Sequence, residues 1–95
     1  MSDEEWKWVY DPDRDHVITG LPQTVVALAE KAAQDLVELA ALGVDVTGIG
    51  KGPRHGGPGG MRELRLPPNG WMYVMALPRR KLIVVTRIVP PFEHL

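Results

Sequence analysis

The sequence predicts an α+β fold: an N-terminal strand, a short helix and a long helix packed on an antiparallel sheet that ends in a three-stranded meander. Three observations carry this. Three apolar-rich stretches, MRELRL, WMYVMAL and KLIVVTRIV, follow one another between residues 61 and 89 with only short turn-forming links. Residues 22–42 repeat apolar side chains at helical spacing with no glycine among them. The alternation of WKWVY at residues 6–10 marks a strand upstream. The 95 residues make one domain, 1–95, and a hydrophobic content of 44% suffices for one core.

In the first strand Trp6, Trp8 and Tyr10 share a face. Asp11-Pro12 stops it. Asp11 is placed to cap a short helix through Val17-Ile18, with Pro12 in its first turn and Gly20 at its end. In the long helix Val25, Ala29, Ala32, Leu36, Leu39 and Ala40 form the packing face, with Gln23, Glu30, Gln34 and Glu38 on the other side. Pro22 fits its first turn and Gly43 its C-terminal stop.

Residues 44–60 are rich in glycine and proline, which rules out regular structure for most of them beyond a brief extended segment at Asp45-Val46. A loop this long in so small a domain is uncommon and often functional, and this one contains Lys51, Arg54 and His55. In the meander, Leu64 and Leu66 oppose Glu63 and Arg65 across the first strand. Trp71, Tyr73, Met75 and Leu77 alternate with Met72, Val74 and Ala76 in the second, and the aromatic face is the one expected in the core. In the third, Leu82, Val84, Thr86 and Ile88 alternate with Lys81, Ile83, Val85, Arg87 and Val89. The last two strands are apolar on both faces, so they are central or a partner covers one side. A β-bulge in the third strand would flip Arg87. Pro90-Pro91 closes the sheet before a short tail.

Composition removes several function classes. With no cysteine, disulfides, thiol catalysis and cysteine-ligated zinc are excluded, and Ser2 is the only serine. His16, His55 and His94 have no metal-ligand spacing, so neither metal nor cofactor is expected. Both phosphate-loop patterns fail: Gly52 follows Gly50-Lys51 where serine or threonine is needed, and Pro53 interrupts the run after Gly48-Ile49-Gly50. No apolar run reaches the roughly 18 residues of a membrane span. The acidic, aromatic N-terminus is unlike a secretory signal, so a cytoplasmic protein without a membrane partner is expected.

The charge is split. Residues 1–50 carry ten acids and three bases, and residues 51–95 carry eight bases and two acids. Such asymmetry suggests one anion-facing surface on an acidic body, or charges that merely solubilise hairpin edges. Arg62, Arg65, Arg79, Arg80, Lys81 and Arg87 interleave with Trp71 and Tyr73, as on a nucleic-acid surface. Together with Glu63 and His55, this set suits phosphoryl chemistry on RNA.

The order of elements resembles the RelE/ParE toxin superfamily of type II toxin–antitoxin systems. Gly60-Met61-Arg62-Glu63-Leu64-Arg65-Leu66 is similar to the G-hydrophobic-x-E-L-R strand of many members. Gly70-Trp71-Met72-Tyr73-Val74 is similar to their G-x-Y-R-hydrophobic strand, and Leu21-Pro22 with Val25 to the L-P-x-x-V opening of their long helix. The resemblance covers nearly the whole chain. It implies a ribosome-dependent mRNA endonuclease that uses no metal, or a gyrase inhibitor, with a cognate antitoxin protein as partner.

By position, the resemblance places Arg65 on the active face, Glu63 where RNA-cleaving members can have lysine, and Arg54 and His55 in the basic loop before that strand. The catalytic candidates are thus Arg65, Arg87 and His55, and the nucleic-acid contacts Arg54, Arg62, Arg79, Arg80 and Lys81. Met72 stands where the family pattern has arginine. The basic, tyrosine-bearing C-terminal segment of the ribonucleases is replaced by residues 90–95, and the pI is 6.3. These departures keep open a non-catalytic member that binds a protein partner.

Overall fold

The computed structural model describes residues 5–52, 60–67 and 70–90. Strand β1 (Lys7–Tyr10) leads into helices α1 (Arg14–Ile18) and α2 (Gln23–Ala41). A single turn of 3-10 helix follows at Val46–Gly48. Strands β2 (Met61–Leu66), β3 (Gly70–Leu77) and β4 (Leu82–Val89) then form the meander, with a 3-10 turn at Pro78–Arg80 between the last two. The domain is a small α+β unit of two helices on a four-stranded sheet ordered β1-β4-β3-β2.

The sheet is mixed, not antiparallel throughout. The β2–β3 and β3–β4 pairs are antiparallel, whereas β1 runs parallel to β4, with Lys7 opposite Leu82 and Tyr10 opposite Val85. The helices are the cause. They carry the chain back to the end of the sheet where β1 began, so β2 runs the way β1 does, β3 reverses, and β4 is again parallel to β1.

Trp6, Trp8 and Tyr10 all turn toward the core as their alternation predicts. The Trp8 and Tyr10 rings meet edge to face at 5.0 Å. The cap of α1 is Asp13 rather than Asp11: its extended backbone lets the carboxylate accept from the His16 N–H at 2.9 Å, which satisfies one of the free donors of the first turn. Tyr10 ties β1 to α2 by donating to Glu30 Oε2 at 2.7 Å, and Arg14 Nε lies 3.7 Å from the same oxygen. Burial, reinforced by the Glu30 carboxylate, pushes the Tyr10 hydroxyl well above the ordinary tyrosine range.

Helix α2 ends as expected at Gly43, whose φ of +93° suits glycine. The Gly43 N–H donates to Ala40 O and the Val44 N–H to Leu39 O, which closes the last turn in a Schellman arrangement. Its buried face is Val25, Val26, Ala29, Ala33, Leu36, Val37 and Ala40. Ala33 rather than Ala32 is central, and Leu39 is 38% exposed. The small side chains of Ala29 and Ala33 let the helix lie close to the sheet. Leu66, Met72, Val74, Ile83, Val85 and Ile88 complete the core from β2, β3 and β4. Of the expected extended segment at Asp45-Val46, Asp45 alone has an extended backbone, from which it caps the 3-10 turn through the Thr47 N–H; Val46 begins that turn and inserts into the core. No helix among the described residues is long and apolar enough to cross a membrane.

Candidate nucleic-acid interface

Alternation along the strands divides the sheet into two faces. One lies under the helices. The other is covered by no described element. The register of β2 on β3 decides which residues lie where. Leu64 pairs with Met72 and Leu66 with Gly70, so the leucine face of β2 and the Met72-Val74 face of β3 are the same, inner face. Trp71, Tyr73 and Met75 therefore point outward and are half-buried, contrary to the expectation that they form core. Met72 is fully buried instead. A cation at that position could not reach the open face.

In β4 the alternation breaks. Val74 pairs with Val85 and Tyr73 with Arg87, leaving Thr86 as the extra residue of a bulge. The Thr86 hydroxyl has two acceptors within reach of its single O–H, Tyr73 O at 3.4 Å and Met61 Sδ at 3.3 Å. Ile83 and Val85 are buried before the bulge and Ile88 after it. Strict alternation would send Arg87 inward with Val85. The bulge turns it outward, where it is exposed.

The open face therefore carries a row Glu63, Tyr73, Arg87 and beside it a row Arg65, Trp71, Val89. Trp71 Nε1 donates to the Tyr73 hydroxyl at 3.1 Å, which fixes the two rings relative to each other. Two strand spacings and two residues separate Arg65 from Arg87, about 12 Å between backbones. Neither arginine is in an ion pair with a described residue. Two cations flanking an aromatic pair can hold phosphate oxygens while a base stacks on a ring.

Toward the Leu77 end the same face becomes apolar. Val9, Met61, Met75, Leu77, Leu82 and Val84 line a shallow depression of about 370 Å³, with Arg80 and Asp11 at its rim.

The other sequence candidates fall elsewhere. Arg62 is only 8% exposed and lies on the inner face, where its guanidinium donates to Gly48 O, Ile49 O and Gly50 O at 3.0, 3.3 and 2.9 Å. It is a strut under the loop, because its position in β2 is in phase with Leu64 and Leu66. Arg79 and Arg80 are exposed in the turn joining β3 to β4, at the far end of the sheet from Arg65. Lys81, with φ of +51°, lines a groove against Glu5, Trp6 and Glu38 on the helix side. Arg54, His55, Glu93 and His94 lie outside the described residues, as do Pro68-Asn69 of the first hairpin link.

Among the described residues no three His, Asp or Glu side chains cluster as metal ligands would. No family model, no curated protein and no solved structure matches the chain.

Proposed function

We propose that the protein is a RelE/ParE-like toxin component that acts on RNA through the uncovered face of its sheet. The observation that supports this best is the Thr86 bulge, which brings Arg87 to the face that holds Arg65, Trp71 and Tyr73. Cleavage of RNA without a metal proceeds by attack of the 2′-hydroxyl on the adjacent phosphorus, with the 5′-oxygen as leaving group. Negative charge grows on the phosphate oxygens, and positioned arginines stabilise it. Trp71 and Tyr73 offer rings for the flanking bases. In this reading the Glu63 carboxylate, across from Tyr73, takes the hydroxyl proton, and water protonates the departing 5′-oxygen.

The test is expression in a bacterial host, with growth and mRNA integrity followed together. Growth arrest with mRNA cleavage, abolished by Arg65→Ala and by Arg87→Ala, is the expected result. Normal growth with intact mRNA, and no RNA binding by the purified protein, would overturn it.

A second reading is favoured by the apolar half of the same face. Val9, Met61, Met75 and Val84 suit a protein partner such as an antitoxin, with no catalysis required. It predicts stable co-purification with the product of an adjacent small gene, and loss of that complex on Met75→Glu. No described residue favours gyrase inhibition.

A further inference from the structure

We propose that Lys51 is a phosphate-binding residue of the open face, held there by Arg62 as its positioning residue. The inference rests on the RNA reading above and extends its surface beyond the edge of the sheet.

The geometry begins with backbone bonds. Lys51 N donates to Glu63 O at 2.9 Å and Glu63 N to Lys51 O at 2.8 Å. This mutual exchange defines a directly opposed antiparallel pair, and residues so opposed send their side chains to the same face. The Glu63 side chain shares its face with Tyr73 and Arg87. Lys51 therefore adds a fourth member to that row, one strand spacing outside β2. It is exposed and belongs to none of the ion pairs among the described residues. The row then reads Lys51, Glu63, Tyr73, Arg87, with a cation at each end about 14 Å apart. A single RNA strand crossing the β-strands would meet both.

A lone bridge does not fix a loop, so something else must hold Lys51 in place. Arg62, the neighbour of Glu63, points to the opposite face and gathers three successive carbonyls, those of Gly48, Ile49 and Gly50. A planar guanidinium with five donors can satisfy such a convergent set, and a lysine ammonium cannot match its shape. Gly50 permits the approach: its φ is +87°, and a Cβ there would lie 2.7 Å from Glu63 O. Gly52 permits the other side, since a Cβ there would fall on the Arg62 guanidinium. The loop root is thus clamped from the helix side by Arg62 and at the sheet edge by the Lys51–Glu63 bonds. Of the side chains at residues 48–52, the lysine is the one left to the solvent on the open face.

The experiment measures binding of a mixed-sequence single-stranded RNA oligonucleotide as a function of salt. Each phosphate contact on a single strand contributes about 0.7 to the slope of log K against log salt. Lys51→Ala should lower the slope by about that amount, and Lys51→Arg should restore it. Gly52→Ala displaces Arg62 without removing any cation. It should lower the slope as Lys51→Ala does and speed amide exchange at Lys51 and Glu63, with the circular dichroism of the fold retained. Should Gly52→Ala fail to fold, Arg62→Lys gives the comparison and is read in the same way, since it keeps the charge but cannot gather the three carbonyls.

An unchanged slope in Lys51→Ala, where Arg65→Ala lowers it, overturns the role of Lys51 and leaves the RNA reading standing. Faster exchange in the glycine variant without a change of slope overturns the positioning role of Arg62. Absence of RNA binding by the wild-type protein overturns both the inference and the reading beneath it.

Discussion

Tyr73 and Arg87 stand directly across from each other on β3 and β4, although the neighbouring pair is Val74 with Val85. One residue too many, Thr86, lies between those two pairings. Deleting it should therefore leave a regular ladder in which every other residue keeps its face. Thr86 deletion is expected to yield a folded protein with Arg87 still outward and with RNA affinity within a few-fold of wild type. Arg87→Ala should weaken RNA binding by about ten-fold or more, the scale of one charge-assisted contact. Filter binding on the two variants side by side checks both expectations.

Met72 and Met75 are three residues apart on one strand and sit on opposite faces. Met72→Ala should cost about 2–5 kcal/mol, because Met72 is 0% exposed and leaves a cavity beneath α2. Met75→Ala, on the open face, should cost less than about 1 kcal/mol. Met72→Arg should abolish folding by burying an unpaired charge. Urea denaturation of the three variants reads the difference.

Tyr10→Phe removes the donor to Glu30 at the junction of β1 and α2. The bond is to a carboxylate but only part-buried, so a loss of about 1 kcal/mol is expected. In Glu30→Gln the further change on adding Tyr10→Phe should shrink, as it does for groups that interact directly. Thermal denaturation of the cycle tests the coupling.

The cap of α1 has its own pH dependence. His16 Nδ1 lies 2.9 Å from both Asp13 oxygens, and this pairing raises the histidine above its ordinary 6.5. The His16 backbone N–H, and after it the ring bond and charge, in turn hold Asp13 below its ordinary 3.8. A raised histidine stabilises the fold fully below 6.5 and ceases to do so as pH rises through its elevated value. A lowered carboxylate stabilises above 3.8 and ceases to do so as pH falls through its depressed value. The helix is thus firmest between those two limits. A His16→Ala variant should lose the alkaline arm of the stability profile, which thermal melts across neutral pH will show.

Much of the fold was legible in the chain because each element had one strong local signal. The helix at residues 22–42 was bounded by Pro22 and Gly43, and the meander strands by prolines and glycines. Faces were harder. β3 is apolar on both sides, so its own alternation could not say whether Trp71 or Met72 meets the helices. The deciding signal lay in β2, whose Leu64 and Leu66 are opposed by polar neighbours and which dictates the face of β3 through the hairpin register. Arg62 is the converse case: its charge points to the surface, yet it shares the phase of those leucines and is itself buried. Lys51 carried no periodic signal, since its pairing with Glu63 is a single bridge from an irregular loop.

The parallel pairing of β1 with β4 also governs when the domain can be completed. Lys7 finds its partner only in Leu82, and Tyr10 only in Val85. During synthesis β1 emerges before β4 and stays without its strand partner until β4 has left the ribosome. The backbone pairing of β1 is therefore completed only with β4, and throughout that interval its strand edge is open to any neighbouring chain.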